Sequence, residues 1–454
     1  MKTEAQVFFE ETKPFINSLS ERVNPQFCLN MAWAYPHLEK LMMERDLNMG
    51  VAEPNTLGPA ISIGSGPSLD GAIPYLNKIR ETHHAPIFCT TSQVWTLYHQ
   101  GVTPDYVTQH DPWARGCPIC GKLDLTHIYF DDAGEIFCFK GHHLTGEHRE
   151  ELLRRTYTNR YCPEIGTKVL FNPGTQLEPM LWADCVKRGE MYFSNFNPNM
   201  GPYLARDLLR GEAFGKAGTK FQEAEAGIIN EAYFRGKAQE AEVMTEKMKG
   251  MLDSAWAEMI TGMVRAPGKH EPQDTPMWLS VILYGGGNKK LKYPVTVAIP
   301  FAPSTTFQNA ILAYCKGYNP IYFIGYDLCH WKNKGYHKRY NYDGTSIPIA
   351  AQVSPGEDDR IALNGFKTDY VQIGEKYALA GYVSHKFQNY HAFPGLQVVE
   401  VIVDGVAGNL EFYPRIDIER FAAGETRNVS QEETANKIRA IIRERKMTEE
   451  WSGL

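Results

Sequence analysis

The sequence contains no uninterrupted apolar run approaching the roughly 18 residues that a membrane-spanning helix needs. Its best runs, such as Val398 to Val403, have strand length. Its first residues, MKTEAQVFFEETKPF, mix acids among the apolar side chains and supply no apolar signal core. Cysteine is scarce: nine in 454 residues, an odd number and far below the density of a disulfide-stapled scaffold. A cationic excess is also missing, since 47 Lys and Arg stand against 53 Asp and Glu for a formal charge of −6. That balance gives no global pull toward nucleic acid or anionic lipid. Together these absences predict a cytoplasmic protein with no membrane and no nucleic-acid partner. What is present, 43% hydrophobic and 22% charged residues, suffices for a packed core rather than a disordered chain.

Periodicity divides the chain. Residues 1–58 read as an N-terminal helical segment, with Phe8, Phe15, Ile16 and Leu19 at rough helical spacing. From Pro59 the pattern changes to short strands alternating with helices: Ala60 to Gly64, a helix through Ile73, Leu76 and Ile79, Pro86 to Thr91, a helix at Val94 to Tyr98, and Asp105 to Gln109. Such alternation predicts an α/β fold with a Rossmann-like, doubly wound, mostly parallel sheet. The expected sheet domain comprises 59–116, 151–211 and 277–412. It is interrupted by a Cys/His-rich insert at 117–150 and a helical insertion at 212–276, and a helical segment follows at 413–454. In that last segment, Ile438, Ile441 and Ile442 mark the apolar side of a charged helix.

The first strand runs into Gly64-Ser65-Gly66-Pro67-Ser68-Leu69-Asp70, and a helix follows. Open α/β sheets bind ligands at the carboxyl ends of their strands. Glycines there let a phosphate approach the backbone, and the helix N-terminus supplies N–H groups and the positive end of a dipole. Ser68 serves either as a helix cap or as a hydroxyl donor. A tight turn with no ligand accounts for the same residues. Further on come Gly101, Pro104, Asp105, Val107 and Asp111, and then a second block, NPIYFIGYDLCHW, with Gly325, Asp327 and Leu328 at a strand end.

These two blocks, in this order, resemble the MptE-like domain family, over 59–111 and 295–412. The family includes the archaeal 6-hydroxymethyl-dihydropterin diphosphokinase and the motility-associated-factor (Maf) group. The Maf proteins resemble sialyltransferases and glycosylate flagellin from CMP-linked sugars. The resemblance implies a nucleotide-linked small-molecule donor and a protein or glycan acceptor. It also separates the branches. The kinase branch carries carboxylates for Mg²⁺ at its second and third strand ends, whereas here Cys89-Thr90-Thr91-Ser92 and Thr108-Gln109-His110-Asp111-Pro112 keep only Asp111. A Maf-like glycosyltransferase is the expectation. An ATP- and Mg²⁺-dependent diphosphokinase and a non-catalytic nucleotide- or glycan-binding protein are the alternatives.

Asp111, past a strand end, is a candidate for nucleotide or substrate binding, against a loop Asp capping a turn. Asp327 would orient a ribose or bind an amino group, or cap a helix. The resemblance places a His several residues after the Asp-Leu pair, and His337 is the match, giving it proton transfer. Asn195, in a polar loop, suits hydrogen bonding to a base or sugar, or simple turn chemistry. Thr305, with Thr306, suits a phosphate at the next helix N-terminus, or a cap.

Cys117-Pro118-Ile119-Cys120-Gly121 places two thiols on one tight turn. Cys138 comes next, then Lys140-Gly141-His142-His143, with a β-hairpin expected around Asp131 to Gly134. The spacing predicts one structural Zn²⁺ held by Cys117, Cys120, Cys138 and either His142 or His143. Two Lys against five acids in residues 117–148 disfavour a nucleic-acid finger.

Overall fold

The computed structural model describes residues 3–15, 56–109, 114–119, 122–130, 136–138, 141–152, 165–171, 189–192, 194–195, 299–300, 304–331, 336–340, 343–347, 361–363, 366–383, 395–405 and 407–445. The helical insertion expected at 212–276 lies outside them, as do the strands expected at Trp278 to Leu283 and Val295 to Ala298. Asp111 and Cys120 fall outside as well.

In chain order the strands are Gly58–Ile63 (β1), Ile87–Thr90 (β2), Tyr106–Gln109 (β3), Ala114–Cys117 (β4), Lys122–Phe130 (β5), Ile136–Cys138 (β6), Lys168–Phe171 (β7), Gly189–Met191 (β8), Ser194–Asn195 (β9), Ile299–Pro300 (β10), Tyr318–Ile324 (β11), Arg339–Tyr340 (β12), Ser346–Ile347 (β13), Ile361–Leu363 (β14), Phe366–Thr368 (β15), Val398–Ile402 (β16) and Arg415–Asp417 (β17). Eight form one sheet in the order β17-β16-β11-β1-β2-β3-β7-β8. Every pairing in it is parallel. Parallel strands are covered on both faces, so they read as near-continuous apolar runs. Ile87–Thr90 is buried throughout, and so are the last four residues of β1.

The helices are Glu4–Gln6 (α1), continued as a wider turn through Thr12, Leu69–His83 (α2), Val94–His99 (α3), Thr305–Cys315 (α4), Tyr370–Val383 (α5), Ile418–Ala422 (α6) and Gln431–Glu444 (α7). Two cores result. One gathers Leu69, Ile73 and Leu76 of α2, Val94 and Leu97 of α3, and Phe421 of α6 onto Ile61, Ile63 and Val399. The other gathers Phe8, Phe307 and Ile311 of α4, Tyr377 of α5, and Ile438 and Ile442 of α7 onto Ala60, Phe88 and Phe323. The architecture is therefore a three-layer α/β/α sandwich. On the second face, buried Glu4 receives hydrogen bonds from Tyr377 and Arg445, while Lys376 pairs with Glu411 at 2.7 Å.

Chain order shows where the sheet reverses. From β1 the chain steps outward through β2, β3, β7 and β8, then returns to β11 on the other side of β1 and steps outward to β16 and β17. The switch point lies between β1 and β11, where connections leave toward opposite faces; open α/β sheets bind ligands outside the carboxyl ends of the strands at such a point.

Outside this sheet, β4, β5 and β6 make a three-stranded antiparallel sheet, with Ile128 opposite Cys138 and Cys117 opposite Lys122. The expected hairpin is present as β5 and β6. β4, which carries Cys117, is an additional strand that the spacing did not announce.

Candidate functional site

The glycine turn sits at the switch point, and the structure shows what its glycines do. The turn packs directly on the end of β11. Gly64 N–H donates to Ile324 O at 2.7 Å, and Gly66 N–H donates to Gly325 O at 2.6 Å. A Cβ on Gly64 would lie 2.3 Å from Gly325 O, and one on Gly66 would lie 2.5 Å from Asp327 Oδ2. Gly325 itself has φ +72°, in the left-handed region that glycine enters without strain. Close approach of two backbones accounts for these residues. Several turn amides are spent inside the protein, so what the turn offers a ligand is chiefly hydroxyls.

Those hydroxyls form a connected set at the carboxyl ends of β1 and β2. Gln93 fixes it. Its Oε1 accepts the Thr90 N–H at 2.6 Å, which directs its Nε2–H to Ser65 Oγ at 2.5 Å. Ser65 Oγ lies 3.1 Å from Ser92 Oγ, which lies 2.7 Å from Thr90 Oγ1. No carboxylate occurs among residues 89–93 at this strand end. Gln93 was not legible as part of the site, because its role depends on β1 and β2 being neighbours.

Asp327 turns toward α2. Its Oδ2 accepts the Ser68 N–H at 2.9 Å and its Oδ1 accepts the Ser68 hydroxyl at 2.5 Å. Burial raises its pKa, while the two Ser68 hydrogen bonds oppose that. The carboxylate thus closes the N-terminus of α2 from the neighbouring strand. Ser68 makes no side-chain cap of its own. Of the two readings for Asp327, the geometry displays the cap.

Residues 336–340 pack on the turn. His337 is fully buried. Its backbone N–H and its Nδ1–H both donate to Ser65 O at 3.0 Å, and Lys338 N–H donates to Asp70 Oδ1 at 2.9 Å. His337 Nε2 has no hydrogen-bond partner among the described residues. Burial pushes the ring down to about 4, so it is neutral at pH 7.

On the other side of β11, Tyr326 donates to buried Glu375 at 2.9 Å, with Ser304 Oγ 3.4 Å from the phenol. Burial pushes the Glu375 carboxyl up to about 7. His330 Nε2 lies 3.2 Å from Asp369. These partners come from distant segments, and no local motif announced them. Ser304, rather than Thr305, caps α4; its Oγ accepts the Phe307 N–H at 3.2 Å, and Thr305 is the first residue of the helix. Asn195 stands in β9 against the β10 strand, in a ladder separate from the main sheet.

In the insert, the ligand atoms of Cys117, Cys138 and His142 lie within 4.8 Å of one another. His142 Nδ1 is 3.8 Å from Cys117 Sγ and 3.4 Å from Cys138 Sγ. Zn–S of about 2.3 Å and Zn–N of about 2.0 Å in a tetrahedron place sulfur about 3.5 Å from nitrogen, so these residues fit that ion. Of the two histidines, His142 joins the cluster. His143 stacks on Phe137 with ring centroids 4.6 Å apart.

A cavity of about 370 Å³ opens at the amino ends of the strands, lined by Arg80, Asp105, Tyr106, Lys168 and Tyr318. There Arg80 donates to Thr103 O at 2.7 Å and Asp105 accepts the Ile87 N–H at 2.8 Å. No helix among the described residues is long and apolar enough to cross a membrane.

No family model matches the chain, and no curated protein matches it. Among solved structures, the MAf glycosyltransferase from Magnetospirillum magneticum AMB-1 aligns over 93% of this chain with 9% identity and a TM-score of 0.38. The chain spans 42% of the length of that protein. The resemblance to the MptE-like family therefore stands on the two sequence blocks themselves.

Proposed function

We propose that this protein is a nucleotide-dependent transferase of the glycosyltransferase kind, drawing on a CMP-type sugar donor. One observation carries the reading: the Gly64–Ser68 turn lies at the topological switch point of the sheet, with the Ser65, Ser92 and Thr90 hydroxyls gathered beside it. Hydroxyl donors gathered at one strand end suit a single phosphate leaving group. The carboxylates that a metal-bridged diphosphate transfer needs are missing from the β2 end. In this reading the turn region holds the donor phosphate while Asp327 keeps Ser68 and the start of α2 in place. Asp111, by the family resemblance, positions the donor. The acceptor's hydroxyl oxygen bonds to the anomeric carbon as the bond from that carbon to the phosphate oxygen breaks; the electron pair stays on the nucleotide and the hydroxyl proton passes to water.

The insert, in the same reading, is zinc-ribbon-like. Cys117, Cys138 and His142 would hold Zn²⁺, with Cys120 as the fourth ligand by spacing. Four protein ligands leave no open position, so the ion would serve folding rather than the transfer.

A thermal-shift panel of CMP, CMP-linked sugars, UDP, ATP and pterins tests the reading. A ligand at 100 times its Kd stabilises by about 2.7 kcal/mol, a readily detected shift. Stabilisation by CMP-type ligands, with turnover that persists in EDTA over short assays, is expected. Stabilisation by ATP and pterins with strict dependence on Mg²⁺ would replace this reading with the diphosphokinase one.

A further inference from the structure

His337 is a fully buried imidazole whose two nitrogens are in unequal positions. Nδ1 is on the Ser65 carbonyl. A carbonyl only accepts, so the proton of the neutral ring is on Nδ1, and Nε2 is a bare lone pair. That lone pair has no partner among the described residues. Leaving a buried acceptor unpaired is costly, and such an atom calls for a donor. The ring stands against the turn, since Nδ1 and the residue's own backbone N–H both bond to the Ser65 carbonyl.

We infer that His337 is a specificity residue: its Nε2 accepts a hydrogen bond from a hydroxyl of the bound nucleotide ligand, on the ribose or on the activated sugar. The inference rests on the proposed nucleotide site and assigns that site a preference. A bare acceptor rewards a ligand that brings an O–H and rejects the analogue that lacks it. Burial keeps the ring neutral, which suits it to accepting a hydrogen bond more than to shuttling protons near pH 7.

Calorimetry with CMP, 2′-deoxy-CMP, 3′-deoxy-CMP and a CMP-linked sugar tests this, using the full chain. Three proteins are compared: wild type, His337→Asn and His337→Gln. The Asn amide can occupy the Nδ1 position and keep the Ser65 bond while nothing replaces Nε2. The Gln amide reaches the Nε2 position. If the hydroxyl is on the ribose, wild type should bind CMP about tenfold or more tighter than one deoxy analogue, the size of penalty expected for an unpaired buried group. His337→Asn should reduce that ratio to within about twofold, and His337→Gln should restore part of it. If the hydroxyl is on the sugar, both deoxy analogues bind like CMP, and the advantage of the CMP-linked sugar over CMP is what His337→Asn removes. Melting curves of each variant check that it is folded. Binding with neither preference in wild type, or a preference that His337→Asn leaves intact, overturns the inference alone. Failure of wild type to bind any of the four overturns it together with the nucleotide reading.

Discussion

At the β1 turn, Ser68 is held by Asp327 from 259 residues further along the chain. In the insert, Cys117 and His142 lie 3.8 Å apart and only 25 residues apart in sequence. The first region is held in place by the whole sheet. Among the described residues the second has a buried cluster of Cys117, Ile136, Cys138, Leu144 and Leu152. In the proposed reading a bound metal adds to what that cluster contributes toward ordering the insert. The two regions should therefore fail independently and by different causes.

The largest expected effect is loss of the metal. Purified protein should contain about one zinc per chain, and Cys138→Ala should remove it. Structural zinc binding is worth on the order of 10 kcal/mol to a small domain, so the insert should unfold outright. The main sheet should keep its own melting transition. Elemental analysis and calorimetric scans check both. A zinc-free wild-type protein with an ordered insert would refute the assignment, and a single transition lost as a whole would join the two regions that the structure separates.

The same contrast explains what could be read beforehand. The grouping of Cys117, Cys138 and His142 was legible because residues able to ligate a metal recur there at short spacing. Only the choice between His142 and His143 needed the stacking of His143 on Phe137. The strand–helix alternation was legible because each period is local, and β1, β2 and β3 fall within a residue or two of their expected positions. The work done by Gly64, Gly66 and Asp327 was not. Phosphate approach and backbone packing both demand glycine, and only the adjacency of β1 and β11 shows which contact is made. Gln93 and Glu375 were invisible for the same reason: their partners arrive from other strands and helices.

The next effect is steric. Gly64→Ala puts a methyl 2.3 Å from the Gly325 carbonyl oxygen and 2.7 Å from Tyr326 Cα, all backbone atoms. Overpacking typically costs about 1–3 kcal/mol, and immobile backbone puts this site at or beyond the top of that range. Gly66→Val should cost similarly, through Asp327. Urea melts measure both. A Gly64→Ala protein within about 0.5 kcal/mol of wild type would show that the two turns do not approach as described. The insert offers the control: a Cβ on Gly141 meets nothing within 4 Å, though its φ of +81° strains any other residue, so only the conformational penalty applies.

A pH effect follows in size. The folded pKa of Glu375 is raised to about 7 from an ordinary 4.5, so the folded state holds its proton longer than the unfolded state does. Its contribution is favourable below pH 4.5 and is lost as pH rises toward 7, by as much as about 3 kcal/mol. His337 acts in the opposite sense. Its folded pKa is lowered to about 4, so its contribution is lost as pH falls from 6.5 toward 4. The two slopes oppose each other in the same window, and the Glu375→Gln variant separates them. It should gain stability relative to wild type between pH 5 and pH 8, as urea melts at the two values would show. An unchanged difference at both would mean that Glu375 is ionised in the fold.

The smallest effect compares two helix starts. α2 is capped from a distance by Asp327, whereas α4 is capped locally, Ser304 Oγ accepting the Phe307 N–H at 3.2 Å. Ser304→Ala should cost about 1 kcal/mol, the usual price of an N-cap. At most helix starts Asp would replace Ser without loss, because a carboxylate both caps and complements the dipole. Here it should not. Ser304 Oγ is 3.4 Å from the Tyr326 hydroxyl, which donates to buried Glu375, so Ser304→Asp would bring a second carboxylate into that cluster. Two carboxyls sharing one buried site cannot both ionise. Ser304→Asp should therefore be no more stable than Ser304→Ala at pH 8, and should recover below pH 5 as the acids take up protons. If Ser304→Asp matched wild type at pH 8, the capping residue and the Tyr326–Glu375 pair would be separate, and the α4 start would be as simple a cap as its sequence suggests.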